Sequence, residues 1–138
     1  MQDVYVVAAA RTAVGKSKRT LAQVRPEDMG AAVLNAVIKR AGIKPEQIQD
    51  VTMGCAFPEG EQGMNVARLT VLRAGLPDTI PAVTMNRFCS SGLEAAATLG
   101  AKIRCGLLEI GIAAGVESMS LIPMSGTKFA PNPVLATE

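Results

Sequence analysis

A chain of 138 residues, 49% hydrophobic and 19% charged, is long enough for one domain with a real core and too apolar to stay disordered. Its 14 Lys and Arg against 12 Asp and Glu leave a net charge of +2, too small for a nucleic-acid footprint, and no basic run interleaves with aromatics. Three cysteines without a Cys-x-x-Cys spacing, and no histidine at all, remove the ordinary ligand sets of a zinc site.

The start, Met1-Gln2-Asp3, has no charged leader followed by an apolar one, and no apolar run approaches the roughly 18 residues of a membrane span. With an odd cysteine count this predicts a soluble chain in a reducing, intracellular compartment. Val4 to Ala10 is continuously apolar, the pattern of a strand covered on both faces. Arg11 to Arg25 is polar and irregular and reads as a long loop; its basic cluster Lys16, Lys18 and Arg19 suits a solvated loop better than a phosphate contact.

A helix begins at Pro26, with Glu27 and Asp28 in its first turn, Lys39 and Arg40 in its last and Gly42 as the stop. Met29, Ala32, Val33, Ala36, Val37 and Ala41 recur at helical spacing and predict its apolar face. Pro45 to Ile48 reads as a short turn before a second strand at Val51 to Ala56, and Pro58, Gly60 and Gly63 mark loop. Asn65 is a helix cap for Val66 to Ala74, with Met64 and Leu69 set for a hydrophobic staple and Gly75 as the exit.

The third strand, Ala82 to Phe88, ends abruptly at Cys89 and gives way to Ser90, Ser91 and Gly92, residue types that start helices or turn tightly. Cys89 is therefore expected at a helix N-terminus, where unpaired amides and the positive end of the dipole favour the thiolate. There its backbone N–H can also steady an oxyanion. The alternative is a small, buried, apolar cysteine at a strand end. The following helix, through Arg104, carries small side chains nearly all round, which predicts a buried helix; Gly100 in its interior predicts close approach by another element.

Ile110 to Val116 makes a fourth apolar strand, and the strand–helix alternation predicts parallel strands, right-handed crossovers and a site at their carboxyl ends. Glu117 follows the last strand, as a general base or as a carboxylate anchoring the loop; anchoring is the commoner role. Arg87 is assigned by strand alternation to the face opposite Phe88 and Cys89, hence a structural role. Cys55 and Cys105 are expected to be packing residues. From Leu121 on, Pro123, Gly126, Pro131 and Pro133 forbid regular structure.

Asn86-Arg87-Phe88-Cys89-Ser90-Ser91-Gly92-Leu93-Glu94-Ala95 resembles the nucleophile motif of the thiolase family. Gly111-Ile112-Ala113-Ala114-Gly115-Val116-Glu117-Ser118-Met119-Ser120 and Val6-Val7-Ala8-Ala9-Ala10-Arg11-Thr12-Ala13-Val14-Gly15 resemble two further blocks, in the family's order and over essentially the whole chain. The resemblance implies a layered α/β amino-terminal half. Its mostly parallel sheet would run in the order 3-2-1-4, with a fifth strand missing from this stretch and a buried central helix. It further implies a domain over 1–120 and the irregular start of an inserted loop region over 121–138.

For function, the resemblance implies an acyl-CoA acyltransferase in which Cys89 attacks a 3-ketoacyl-CoA and carries the acyl group as a thioester. Coenzyme A is then a substrate and no cofactor is expected; the partners are coenzyme A thioesters and a second copy in a homodimer or tetramer, joined across the edge strand. The family's histidine and second cysteine come from a carboxyl-terminal half, so this chain alone is expected to be inactive. The location expected is cytoplasmic, or an organelle of fatty-acid oxidation in a eukaryote. Two other readings stay open: an acetoacetyl-CoA-forming biosynthetic enzyme, and a non-catalytic module that binds acyl-CoA or a partner.

Overall fold

The computed structural model describes residues 2–136. Residues 1, 137 and 138, the outer ends of the stretches expected at 1–120 and 121–138, lie outside the described residues. Three helices and a three-stranded parallel sheet follow one another: α1 (Pro26–Ala41), β1 (Asp50–Gly54), α2 (Val66–Arg73), β2 (Ala82–Met85), α3 (Ser91–Arg104) and β3 (Gly111–Gly115). The α/β class and the parallel crossovers are as the sequence predicts.

Local signals set the ends of these elements. Pro26 opens α1, and Gly42 closes it in the left-handed region at φ 67°, donating its N–H to the Lys39 carbonyl. Asn65 caps α2 by accepting the Arg68 N–H at 3.2 Å. Pro45–Gln47 forms a single 3₁₀ turn. The expected staple is not made, because Met64 takes a left-handed φ of 56° that swings its side chain into solvent.

The buried residues of α1 are Pro26, Gly30, Ala31, Leu34 and Ile38; of the set predicted from Met29 to Ala41 none is fully buried, and Val37 packs half-buried against this core. Apolar residues occupy most of this helix's circumference, and the larger Leu34 and Ile38 take the core. They pack with Val71 of α2, Val51 of β1 and Ile80 in one cluster, while Met53 and Cys55 pack with Val66 and Ala67 in a second. A fully buried side chain of Leu34's size contributes about 2–3 kcal/mol. Val51 and Met53 therefore face α1 and α2, and the opposite face of the sheet receives α3.

The strand order is β2-β1-β3, with Val51 opposite both Ala82 and Ile112, and Gly54 opposite both Met85 and Gly115. In the numbering of the expected 3-2-1-4 order this is 3-2-4: Val4–Ala10 is not a strand. Both edges of β1 are already hydrogen-bonded, so the place expected for that run is filled by β3. The run instead lies extended and largely exposed, tied by Gln2 to the Arg104 and Ile103 carbonyls and by Arg40 to the Ala9 carbonyl.

Glycine makes the contact between α3 and the sheet possible. A Cβ on Gly54 would lie 2.3 Å from the Ser91 carbonyl carbon and 2.5 Å from the Gly92 nitrogen; one on Gly111 would lie 2.8 Å from Leu99. At the other end of α3, Lys102 pairs with Asp50 at 2.6 Å, so the helix is fixed to β1 at both ends.

The expectation of a helix buried all round is overturned: only Ser91, Ala95 and Leu99 of α3 are buried, and Leu93, Ala96 and Ala97 are exposed. One face suffices to cover a three-stranded sheet, and among the described residues nothing lies over the other. Gly100 likewise has open space where a Cβ would stand, with nothing among the described residues within 4 Å beyond its chain neighbours and its own helix's backbone, so no close approach explains it.

Gly54 and Gly100 should respond oppositely to substitution. Gly54→Ala is expected to destabilise the chain by about 1–3 kcal/mol, because backbone must move to admit the methyl group. Gly100→Ala should stabilise it by about 0.5–1 kcal/mol by restricting the unfolded chain. Urea unfolding followed by circular dichroism measures both.

Candidate active site

The carboxyl ends of the three strands meet below the turn that carries Cys89. Strand β2 stops at Met85, α3 begins at Ser91 with Ser90 as its N-cap, and Cys89 stands exposed one residue before that cap. The expected position at a helix start is thus shifted by a single turn residue.

The turn is held by its own residues. Ser90 donates its N–H to the Arg87 carbonyl at 3.1 Å, and Ser91 to the Phe88 carbonyl at 3.0 Å. The buried Ser91 hydroxyl accepts the Arg87 N–H at 2.9 Å and donates to the Phe88 carbonyl at 2.5 Å. Phe88 adopts a left-handed φ of 48°, a conformation that costs a non-glycine residue about 1–3 kcal/mol and persists only where the surroundings enforce it. Asn86 helps enforce it, accepting the Phe88 N–H on Oδ1 at 2.8 Å. The Cys89 N–H has no acceptor among the described residues.

Below the turn, Gly54 lets the first turn of α3 come down onto β1, while on β3 a Cβ at Gly115 would make only an ordinary 3.5 Å contact with the Gly92 Cα. Arg87 points its guanidinium at Glu94, with contacts of 2.9 and 3.1 Å, and this ion pair is the structural role it fills.

Glu117 is an anchor. Its Oε2 accepts the Ala56 N–H at 2.7 Å and its Oε1 accepts the amide of Gln62 at 2.6 Å, so both oxygens hold neighbouring loop segments in place. Gln62 is fully buried, and its Oε1 accepts the Ser118 N–H. Cys55 is buried as expected, with Sγ 3.8 Å from Glu117 Oε1, and burial first, then the Glu117 charge, pushes its thiol up to about 12.

Cys105 departs from expectation: it is exposed, not packed. With Ser91 over Gly54 and Lys102 over Asp50, α3 has run off the sheet by the time it reaches Cys105 at its C-cap. Among the described residues no group of three or more His, Cys, Asp and Glu is arranged to hold a metal ion, and no helix is long and apolar enough to cross a membrane.

Gly54, Gln62 and Asn86 join the site through the fold, and sequence pattern alone does not assign them to it. A signal exists for two of them: a glycine ending an apolar strand marks close backbone approach, and an asparagine two residues before a strained position marks a side-chain turn.

The family model described as "Thiolase, N-terminal domain" matches residues 4–135. Among relatives, the 3-ketoacyl-CoA thiolase of Bacillus subtilis (strain 168) is 49% identical over 137 residues, covering 99% of this chain and 35% of the relative. The acetyl-CoA acetyltransferase of Cupriavidus necator is 46% identical over 123 residues, 89% of this chain and 31% of its own. Peroxisomal 3-ketoacyl-CoA thiolase 5 of Arabidopsis thaliana is 42% identical over 128 residues, 92% of this chain and 28% of its own. The chain thus spans about a third of the length of the curated relatives it matches. Matched along nearly its whole length, this chain belongs to the thiolase family and carries its amino-terminal domain.

Proposed function

We propose that this chain supplies the nucleophile of an acyl-CoA acyltransferase that cleaves 3-ketoacyl-CoA. The Cys89 sulfur attacks the keto carbon. The bond between the second and third carbons then breaks, and its electron pair leaves on acetyl-CoA as the enolate, which takes up a proton. The shortened acyl group stays on Cys89 as a thioester. A second coenzyme A thiol attacks that carbonyl, releasing acyl-CoA and restoring the cysteine.

The observation that carries this reading is the exposure of Cys89 on the enforced turn, with its own N–H unengaged and available to a thioester oxyanion. Coenzyme A enters as a substrate, and no bound cofactor is invoked. Because the chain has no histidine and Glu117 is held by Ala56 and Gln62, we assign the base that activates Cys89 to the part of its relatives' length that this chain does not span. The name of the Bacillus subtilis relative favours the cleavage direction. The name of the Cupriavidus necator relative favours acetoacetyl-CoA formation as the second reading. The cytoplasm is the proposed location, or a fatty-acid-oxidising organelle in a eukaryote.

The chain incubated with chloroacetyl-CoA should gain mass at Cys89 about tenfold faster than at Cys105, which is also exposed. Equal rates would sink the acyl-transfer reading and leave a non-catalytic binding module. Cys55 should stay unlabelled at pH 8. Its thiol is held neutral above its ordinary range, so the chain should lose stability progressively as pH rises from that ordinary range through about 12.

Turnover should be undetectable for the chain alone and appear when the remaining length of its relatives is supplied. A panel of 3-ketoacyl-CoA chain lengths then separates the readings: activity confined to acetoacetyl-CoA would favour the biosynthetic one.

Strand β2 pairs with β1 alone and is an edge of the sheet, an invitation to pair with another chain. We assign a homodimer, or a tetramer made of two such dimers, to this edge. Light scattering after size exclusion should give twice or four times the mass of 14.3 kDa, and a monodisperse monomer would count against it.

A further inference from the structure

The ends of all three strands are tied together through one residue, Ala56. Its N–H donates to Glu117, just past β3, at 2.7 Å; its carbonyl accepts from Asn86 Nδ2, just past β2, at 2.9 Å. Glu117 is held on its other oxygen by Gln62, which also donates to the Phe57 carbonyl at 2.9 Å. Asn86 continues this chain of hydrogen bonds upward, since its Oδ1 accepts the Phe88 N–H at 2.8 Å. Phe88 is the left-handed residue that precedes Cys89.

A side-chain amide suits this place because it donates with one end and accepts with the other. A carboxylate would set an oxygen against the Ala56 carbonyl, and an alanine would leave both backbone groups unheld. Asn86 is itself exposed, so its removal leaves no cavity in the core. Its Nδ2 donates to one backbone group and its Oδ1 accepts from another, so both ends of the amide are oriented by the main chain.

We infer that Asn86 is a positioning residue for Cys89: it fixes the left-handed turn at Phe88 that presents the sulfur, and Ala56 and Glu117 hold Asn86 in place. The inference rests on the acyl-transfer reading of Cys89. What it adds is the route by which the ends of β1 and β3 set the aim of a nucleophile that lies on neither.

The test compares two alkylating reagents on the chain, with Cys89, Cys105 and Cys55 followed as separate peptides by mass spectrometry. In both reactions the cysteine sulfur forms a carbon–sulfur bond as halide leaves, chloride from chloroacetyl-CoA and iodide from iodoacetamide. The first reagent must be oriented by its bulky thioester, whereas the second makes no such demand. Asn86→Ala should slow chloroacetyl-CoA labelling of Cys89 about tenfold or more, while iodoacetamide labelling stays within about twofold. Cys105 should be unchanged with both reagents, and Cys55 should remain protected. Asn86→Asp, which keeps the acceptor for the Phe88 N–H, should fall between wild type and Asn86→Ala.

Unchanged chloroacetyl-CoA labelling of Cys89 in Asn86→Ala, with Cys55 still protected, overturns the positioning role. An equal loss with both reagents does so too. Should Cys55 become labelled in Asn86→Ala, the variant has unfolded, and Asn86→Asp decides by the same criterion. If wild-type Cys89 reacts no faster than Cys105, the acyl-transfer reading itself fails and takes this inference with it.

Discussion

The contact on which this structure depends is backbone against backbone: the first turn of α3 resting on the last residue of β1. At Gly54 there is no room even for a methyl group, so helix and sheet approach as closely as two main chains can. Over β3 the fit is looser, since a Cβ on Gly115 would meet the Gly92 Cα at an ordinary 3.5 Å. Because α3 is seated on Gly54 and clamped by Lys102 to Asp50 at its far end, the residue just before its cap has little freedom to wander. That residue is Cys89. Its exposure and its rigidity both follow from the geometry underneath it.

The contrast among the three cysteines shows how position decides chemistry. Cys55 follows β1 by one residue on the face toward α2, sealed in hydrocarbon and next to a carboxylate, and it packs. Cys105 has slid past the sheet's end and meets water with nothing built around it. Only Cys89 combines access with an enforced turn, at the cost of Phe88's left-handed backbone. The polar groups that enforce it, from Gln62 through Glu117 and Ala56 to Asn86, all have partners, as groups near a core must if they are not to cost more than they contribute.

Signals confined to a few neighbouring residues are legible in the sequence. Pro26 and Gly42 bound α1, Asn65 caps α2, and the break between strand and helix at Cys89 is read from Ser90 and Ser91. Glu117 as an anchor and Cys55 as a packing residue follow from the general cost of burying such groups. What escapes a sequence reading depends on distant partners. Val4–Ala10 is apolar enough for a strand, but apolarity does not say whether an edge is free to receive it. The choice between Leu34 and Val33 stripes on α1 needs the position of β1. Small residues around α3 suggest burial, yet helix composition is silent on whether a second layer is present. Cys105 is exposed because the length of the sheet, not the residue type, decides where cover ends.

The unpaired Val4–Ala10 run also bears on how the chain is made. It leaves the ribosome about 40 residues before β1, which at 5–20 residues per second is roughly 2–8 s of exposure as an apolar, strand-prone segment. Since the finished sheet of these residues has no ladder for it, that exposure does not end when β3 docks.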